Sequence, residues 1–332
     1  MNIQKNNTLE LLKLFSSYMI VFIHVPFGGK AGEAMDVLAR FAVPFFFLVS
    51  GYYSYQINCE KIKKRIQNIL SLLVFSMVSY TVFEIIMLLK YNREGLAAFF
   101  NKYTQLSTYI GFFVFNAPVN FGHLWYLLAI FYGYIIFYFV TKFNVKEKVI
   151  FTISLFLLAL NLLLEEGLSL FGIVLPIPVV RNFATMGIPF FALGLFVKKH
   201  ESKFRSIPDY VTPVFIAFGA LVSLISAYFL GTNELYVGSL FILTAIICVF
   251  VKRADAKIPS FLTALEGCST YIYIFHIMIS TVIFIIYGVL GIDIYSSVIL
   301  ENLHPVIVCV ASTVFAYLFI KISKRASVLR KN

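Results

Sequence analysis

The chain has 332 residues, 60% of them hydrophobic and only 13% charged, with a net charge of +11; a soluble domain carries about 25% charged residues. Together with a mean hydropathy of +0.89 and 37 Phe and 20 Tyr, this excludes an ordinary soluble enzyme. It predicts an all-α, polytopic membrane helical bundle forming a single integral-membrane domain over residues 1–332.

A spanning helix needs about 20 mostly apolar residues. About ten such runs follow one another, at roughly 9–27, 37–56, 67–89, 122–141, 149–165, 183–198, 210–230, 235–251, 269–290 and 304–322. A further segment at roughly 104–119, TQLSTYIGFFVFNAPV, is apolar but short and ends in Asn-Ala-Pro, which reads as a re-entrant or interfacial piece. Another full crossing there would break the charge pattern. Cys59, Cys248, Cys268 and Cys309 form no CxxC pair, so neither a disulfide framework nor a metal site is expected.

Lys and Arg in short loops mark the cytoplasmic side. With the N-terminus inside, 21 of the 27 fall on inner segments: Lys5 and Lys13, the run KIKKR at 61–65, the loops at 142–148, 198–205 and 252–257, and the tail from Lys321 through Arg330 and Lys331. Lys30, Arg40, Lys90, Arg93, Lys102 and Arg181 remain outside. Both termini are therefore expected in the cytoplasm, with loops at 28–36, 165–182 and 291–303 outside. This topology accounts for the basic balance without a nucleic-acid partner. The first run is not read as a cleaved signal peptide, because no small-residue cleavage site follows it and Glu10 and Lys13 fall where it begins. No internal repeat is visible.

The first run carries the strongest signal. At about 100° per residue, Lys13, Ser17 and His24 align within about 20°, and Glu10 lies about 40° off. An ionisable residue near the centre of a span costs about 2.5–3.5 kcal/mol, so such groups usually face a protein interior or a watered cavity. One stripe thus holds Glu10, Lys13, Ser17 and His24, a polar track running from the cytoplasmic face toward the outside. The structural alternative is a local Glu10–Lys13 ion pair, with Lys13 snorkelling and His24 at the interface.

The segment TLELLKLFSSYMIVFIH (8–24) resembles the opening of the acyltransferase 3 family of bacterial membrane acyltransferases, an acidic residue followed by Arg, ten residues and His. Four further blocks are similar to that family in the same order: RFAVPFFFLVSGYY (40–53), HLWYL (123–127), GIPFFALGLF (187–196) and CSTYIYIFH (268–276). Lys13 stands where the family usually has Arg, and the family's Arg-x-x-Arg after the second span is represented by Lys61, Lys64 and Arg65. The extracytoplasmic hydrolase-like domain of some members has no counterpart in the sequence.

The resemblance implies transfer of an acyl group, most often acetyl, from cytosolic acyl-CoA to a hydroxyl of a cell-surface or lipid-linked glycan. It places the chain among the lipids of a bacterial plasma membrane. It points to His24 as general base or transient acyl carrier, to Glu10 and Lys13 as groups that position the donor or stabilise charge, and to Lys61, Lys64 and Arg65 as binders of the CoA phosphates. For those basic residues ordinary positive-inside charge is the alternative. Arg40, His123, Trp125, Arg181, Tyr273 and His276 are candidates for the acceptor side. Each has a structural alternative: an interface anchor for Arg40, aromatic-belt placement for Trp125, and a polar helix contact for Tyr273 and His276, which share a face with Ser269. Ser50-Gly51 reads as a close-packing point rather than a nucleophile. His200 and His304 have no evident partner. A glycan or solute transporter, or a membrane sensor, would share the spans and buried charges; acyl-CoA binding and dependence on His24 separate an acyltransferase from both.

Overall fold

The computed structural model describes residues 6–254 and 256–329, with side chains through Arg325. Lys5, Arg330 and Lys331, assigned above to the inner side, lie outside the described residues. Helix makes up 81% of the chain, and no strand occurs among the described residues.

The helices begin and end where the local chemistry provides for their unpaired backbone groups. α1 (Asn7–His24) is capped by Asn6, whose side-chain oxygen accepts from Leu9 N. α2 (Gly29–Ala39) and α3 (Ala42–Tyr52) meet at a turn at Arg40 and Phe41. α4 (Cys59–Tyr91) is capped in the same way by Asn58, which accepts from Lys61 N. After α5 (Gly95–Asn101) and α6 (Leu106–Phe115) come α7 (Trp125–Lys142), α8 (Glu147–Leu162), α9 (Ile177–Val180) and α10 (Ile188–Lys199). Single π turns extend α8 at Leu163–Gly167 and precede α10 at Phe183–Gly187; such turns recur at functional positions. α11 (Glu201–Arg205), α12 (Val211–Leu230), α13 (Val237–Lys252), α14 (Ser260–Thr263), α15 (Cys268–Leu290) and α16 (Val298–Leu329) complete the chain.

Eight stretches of the described residues are long and apolar enough to cross a membrane: Gly29–Tyr52, Cys59–Tyr91, Gly122–Lys142, Glu147–Gly167, Ile177–Lys199, Val211–Leu230, Cys268–Leu290 and Val298–Arg325. They account for eight of the expected ten runs. The other two are α1, whose 18 residues include Glu10, Lys13 and His24, and α13, an apolar helix of 16 residues. α6 has only 10 residues, a rise of about 15 Å, and cannot cross the hydrocarbon by itself.

Some expected boundaries are corrected. Residues 29–39, expected largely as an outer loop, are helical, because GKAGEAMDVLA contains no proline and only two glycines. The second run ends at Tyr52 rather than near 56, where Gln56 takes a positive φ. The last helix starts at Val298 and carries Pro305 within it; so near a helix start, proline removes one backbone hydrogen bond without ending the helix.

The chain divides into two compact units. The first comprises Met1–Val43, Glu201–Thr232 and Tyr236–Asn332. Its core joins Leu14 and Val21 of α1 and Val25, just after it, to Cys268, Ile272 and Ile283 of α15 and to Val308, Cys309 and Ala316 of α16. At one end Asn6 Nδ2 donates to Phe250 O (2.9 Å), Thr8 Oγ1 donates to Arg253 O, and Lys252 pairs with Asp209 (2.7 Å). The Lys252 ammonium, by hydrogen bond and charge, holds the Asp209 carboxyl below its usual range. At the other end Gly28 N donates to Asn302 Oδ1 (3.2 Å). Segments expected on the same side of the membrane therefore meet.

The second unit comprises Pro44–His200 and Asn233–Leu235. Here α3 and α10 touch backbone to backbone. A Cβ on Gly51 would collide with the Phe191 carbonyl, and one on Gly194 with the Leu48 carbonyl. Ser50 Oγ donates to Phe46 O (2.9 Å) within its own helix, in keeping with a packing role for Ser50-Gly51.

Candidate functional site

In the first unit, α1 carries the polar stripe that its spacing predicts. Lys13 Nζ lies 2.7 Å from Glu10 Oε1, with side chains 21% and 19% exposed. The two thus form the local ion pair weighed as an alternative. Ser17 is fully buried and donates to Leu14 O (2.7 Å). Tyr18, on the neighbouring face, shares a hydrogen bond with Thr313 Oγ1 (2.9 Å). About 16 Å of helical rise separates Lys13 from His24, so the two cannot act on the same atom.

His24 meets a second imidazole. Its ring centroid lies 5.3 Å from that of His276 on α15, with the planes inclined by 36°. His276 is fully buried. Its Nδ1 lies 2.8 Å from Tyr273 O and 3.2 Å from Ile272 O. Carbonyls only accept, so Nδ1 carries the proton and Nε2 keeps the lone pair in the neutral ring. Tyr273 is buried beside it, ring to ring at 6.4 Å, and Ser269 is buried on the same helix. Tyr273 and His276 therefore belong to the helix contact that holds the His24 ring. Two adjacent imidazoles can take a proton on one ring and pass it through the other.

Also in the first unit, Arg40 Nη2 donates to both carboxylate oxygens of Asp36, at 2.8 and 2.9 Å. The pair is only 13% and 19% exposed. Sequence reading singled out Arg40 and missed Asp36, although a spacing of four on one helix is the signature of such a pair.

In the second unit the basic run after α3 divides in two. Lys61 and Lys64 are exposed on the first turns of α4, and Lys63 pairs with Glu60 (3.2 Å). Arg65 turns inward. Its Nη1 donates to Ser54 Oγ (2.8 Å) and Tyr134 OH (3.1 Å), and its Nη2 donates to Tyr53 O (2.8 Å). A guanidinium fixed by neutral oxygens keeps its full charge for an anionic ligand. Close by, Lys198 lies 4.8 Å from the Tyr52 ring centroid and donates to the Tyr52 hydroxyl (3.3 Å).

Of the remaining candidates of the second unit, Trp125 and Arg181 meet, and Arg181 reaches Glu234. Trp125 is only 6% exposed, which argues against the aromatic-belt alternative. Phe47 packs against it at 6.0 Å, and the Arg181 guanidinium lies 5.4 Å from its ring centroid. Arg181, a candidate for the acceptor side, pairs with Glu234 at 3.3 Å. Glu165 is buried and accepts from Glu234 N (2.5 Å) and Leu235 N (3.3 Å). Neither glutamate stood out in the sequence, because each lies more than fifty residues from its partner. His123 stacks edge-on against Tyr80 (4.6 Å). Among the described residues no group of three His, Cys, Asp or Glu side chains has the arrangement of a metal site.

Fold and site together define a multi-pass membrane protein in which ionisable side chains sit inside or at the ends of its helices, on built contacts. The family model described as "Acyltransferase domain" matches residues 6–321, and the chain belongs to that family, acyltransferase 3. A protein of Enterococcus faecalis named "Amino-acid racemase" is 26% identical over 228 residues, which cover 64% of this chain and 28% of that protein. The chain thus spans little more than a quarter of the length of that curated relative. No solved structure matches it.

Proposed function

We propose that this chain is a membrane O-acyltransferase of the bacterial cell membrane. It moves an acyl group, acetyl in the leading case, from cytosolic acyl-CoA to a hydroxyl of an extracytoplasmic or lipid-linked polysaccharide. The observation that carries the reading is the His24–His276 pair: His24 closes a helix that begins with the Glu10–Lys13 ion pair. In a family of acyltransferases, an imidazole at this position is suited to take the proton of an acceptor hydroxyl. The His276 ring, fixed by two carbonyls, orients it. Glu10 and Lys13, about 16 Å along the helix, belong to the donor end of the path. Arg65, with Lys61 and Lys64 around it, offers charge and a fork to the CoA phosphates. Arg40 in the first unit, and His123, Trp125 and Arg181 in the second, are candidates for the acceptor through the contacts that each makes within its own unit.

Binding of acetyl-CoA to the purified protein in detergent tests the donor. Saturable binding supports the acyltransferase; its absence returns the chain to the transporter or sensor reading. Arg65→Ala is expected to raise the apparent KM for acetyl-CoA by about tenfold or more, since hydrogen bonds to charged groups are the strong ones. Replacing the exposed Lys61 and Lys64 with Gln changes it by less than about threefold. Steady-state kinetics at matched membrane abundance decide, and an unchanged KM in Arg65→Ala makes the run a topology signal alone.

Both termini are proposed to be cytoplasmic. Cysteines introduced at 142–148 are then expected to react with an impermeant thiol reagent only in inverted vesicles, and those at 291–297 only in intact cells. Labelling of 142–148 from outside contradicts the arrangement.

A further inference from the structure

The second unit holds a cavity that the acyl-transfer reading leaves unused. It lies where α8 begins and α10 ends, at the side proposed above to be cytoplasmic. Its volume is about 400 Å³, within the range of ligand-sized clefts. Both helices belong to stretches able to cross a membrane. Two stripes face each other across the cavity. On α8, Lys148, Phe151, Thr152 and Leu155 follow the i, i+3, i+4, i+7 spacing of a single helix face. On α10, Phe196, Lys199 and the closing His200 follow the i, i+3, i+4 spacing.

The lining changes character with depth. At the mouth, Lys199 forms an ion pair with Glu147 that ties α10 to α8. An ammonium carries three donors, so this pair leaves Lys199 donors for a further acceptor. Lys148, beside Glu147, is exposed and makes no ion pair among the described residues. The preceding loop adds Lys142 and Lys146. The His200 ring rests on Phe196 (4.5 Å), and Phe196 meets Phe151 edge-on (5.4 Å), which gives the cavity an aromatic wall. Thr152 exposes its side chain one turn beyond Lys148. Leu155, about 10 Å of helical rise beyond Lys148, is 69% exposed. Ammonium groups, a hydroxyl and then apolar surface therefore succeed one another into the depth of the membrane. A free anion has no use for the apolar end, and a bare hydrocarbon chain has none for the lysines. An amphiphile with an anionic head uses both, and basic residues at a cytoplasmic interface attract such lipids.

We propose that this cavity binds an anionic phospholipid of the inner leaflet. Its phosphate sits at Lys148 and Lys199, and its acyl chains lie along Phe151, Leu155 and Phe196. The proposal is independent of the acyl-transfer reading, since no donor or acceptor group takes part. Ordinary positive-inside charge would hold such lipids at any exposed lysine, whereas a built site holds them at these residues.

The full chain, purified in a non-ionic detergent and titrated with phosphatidylglycerol or phosphatidylcholine, reports each bound lipid by native mass spectrometry. The expected result is a phosphatidylglycerol held at least about tenfold more tightly than phosphatidylcholine, whose head group carries no net charge. Lys148→Glu is expected to weaken that binding at least about tenfold. Thr152→Trp, which fills the cavity without changing its charge, is expected to weaken it as well. Lys203→Gln, an exposed lysine outside the cavity, changes it by less than about twofold. Equal affinity for the two lipids overturns the proposal, as does wild-type affinity in either Lys148→Glu or Thr152→Trp, or an equal loss in Lys203→Gln. Displacement of the lipid by inorganic phosphate makes the cavity a free-anion site, and displacement by acetyl-CoA makes it part of the donor site; either result overturns the lipid assignment.

Discussion

His24→Ala is expected to lower the initial rate of acyl transfer by about 10²- to 10⁴-fold, the usual contribution of a general acid–base group, while the protein still inserts and accumulates. His24 is half-buried at the end of α1, and its ring contact is with His276 rather than with the apolar core of Leu14, Val21 and Val25. Its removal therefore takes away chemistry more than packing. His276→Ala disturbs a fully buried site on α15, so it is expected to combine a rate loss with lower abundance. If His24 is only an interfacial residue, the variant keeps near-normal rates at matched membrane abundance. Initial rates in membranes, normalised to the amount of protein, separate the two.

The second large effect falls on Lys13. Lys13→Ala leaves the Glu10 carboxylate, 19% exposed, without the ammonium now 2.7 Å away. Stranding one member of a partly buried pair costs far more than the pair itself contributes. Transfer is expected to fall about tenfold or more, with reduced membrane accumulation. Lys13→Arg keeps the charge and can still reach Glu10, so it is expected to retain most of the activity. Glu10→Gln with Lys13→Gln removes both charges and restores accumulation without restoring transfer. Recovery of transfer in that double variant contradicts a role for the pair beyond stability.

The course of the helices was readable from the apolar runs, because an uninterrupted stretch of some 20 apolar residues has few alternatives to a spanning helix. The stripe on α1 was readable from its period alone. Arg65 was not separable from Lys61 and Lys64 in the sequence, where the three read as one basic run; its turn inward to Ser54, Tyr53 and Tyr134 depends on contacts with other segments. What could not be read are contacts between helices distant in sequence. The pairing of His24 with His276, the ion pair of Arg181 with Glu234, and the approach of His304 to Ser280 depend on which helices become neighbours and in what rotation. Composition and period do not carry that information. The burial of Trp125 could not be read for the same reason, since a lone Trp at a span end is usually interfacial; here Phe47 and Arg181 cover it.

Mass spectrometry of cell-surface and lipid-linked glycans tests the central claim most directly, comparing cells that carry the gene, cells that lack it, and cells that carry His24→Ala at equal membrane abundance. The account predicts a glycan heavier by one acyl unit in the first cells and absent from the other two. Identical glycans in all three, or the acylated glycan persisting with His24→Ala, contradict it.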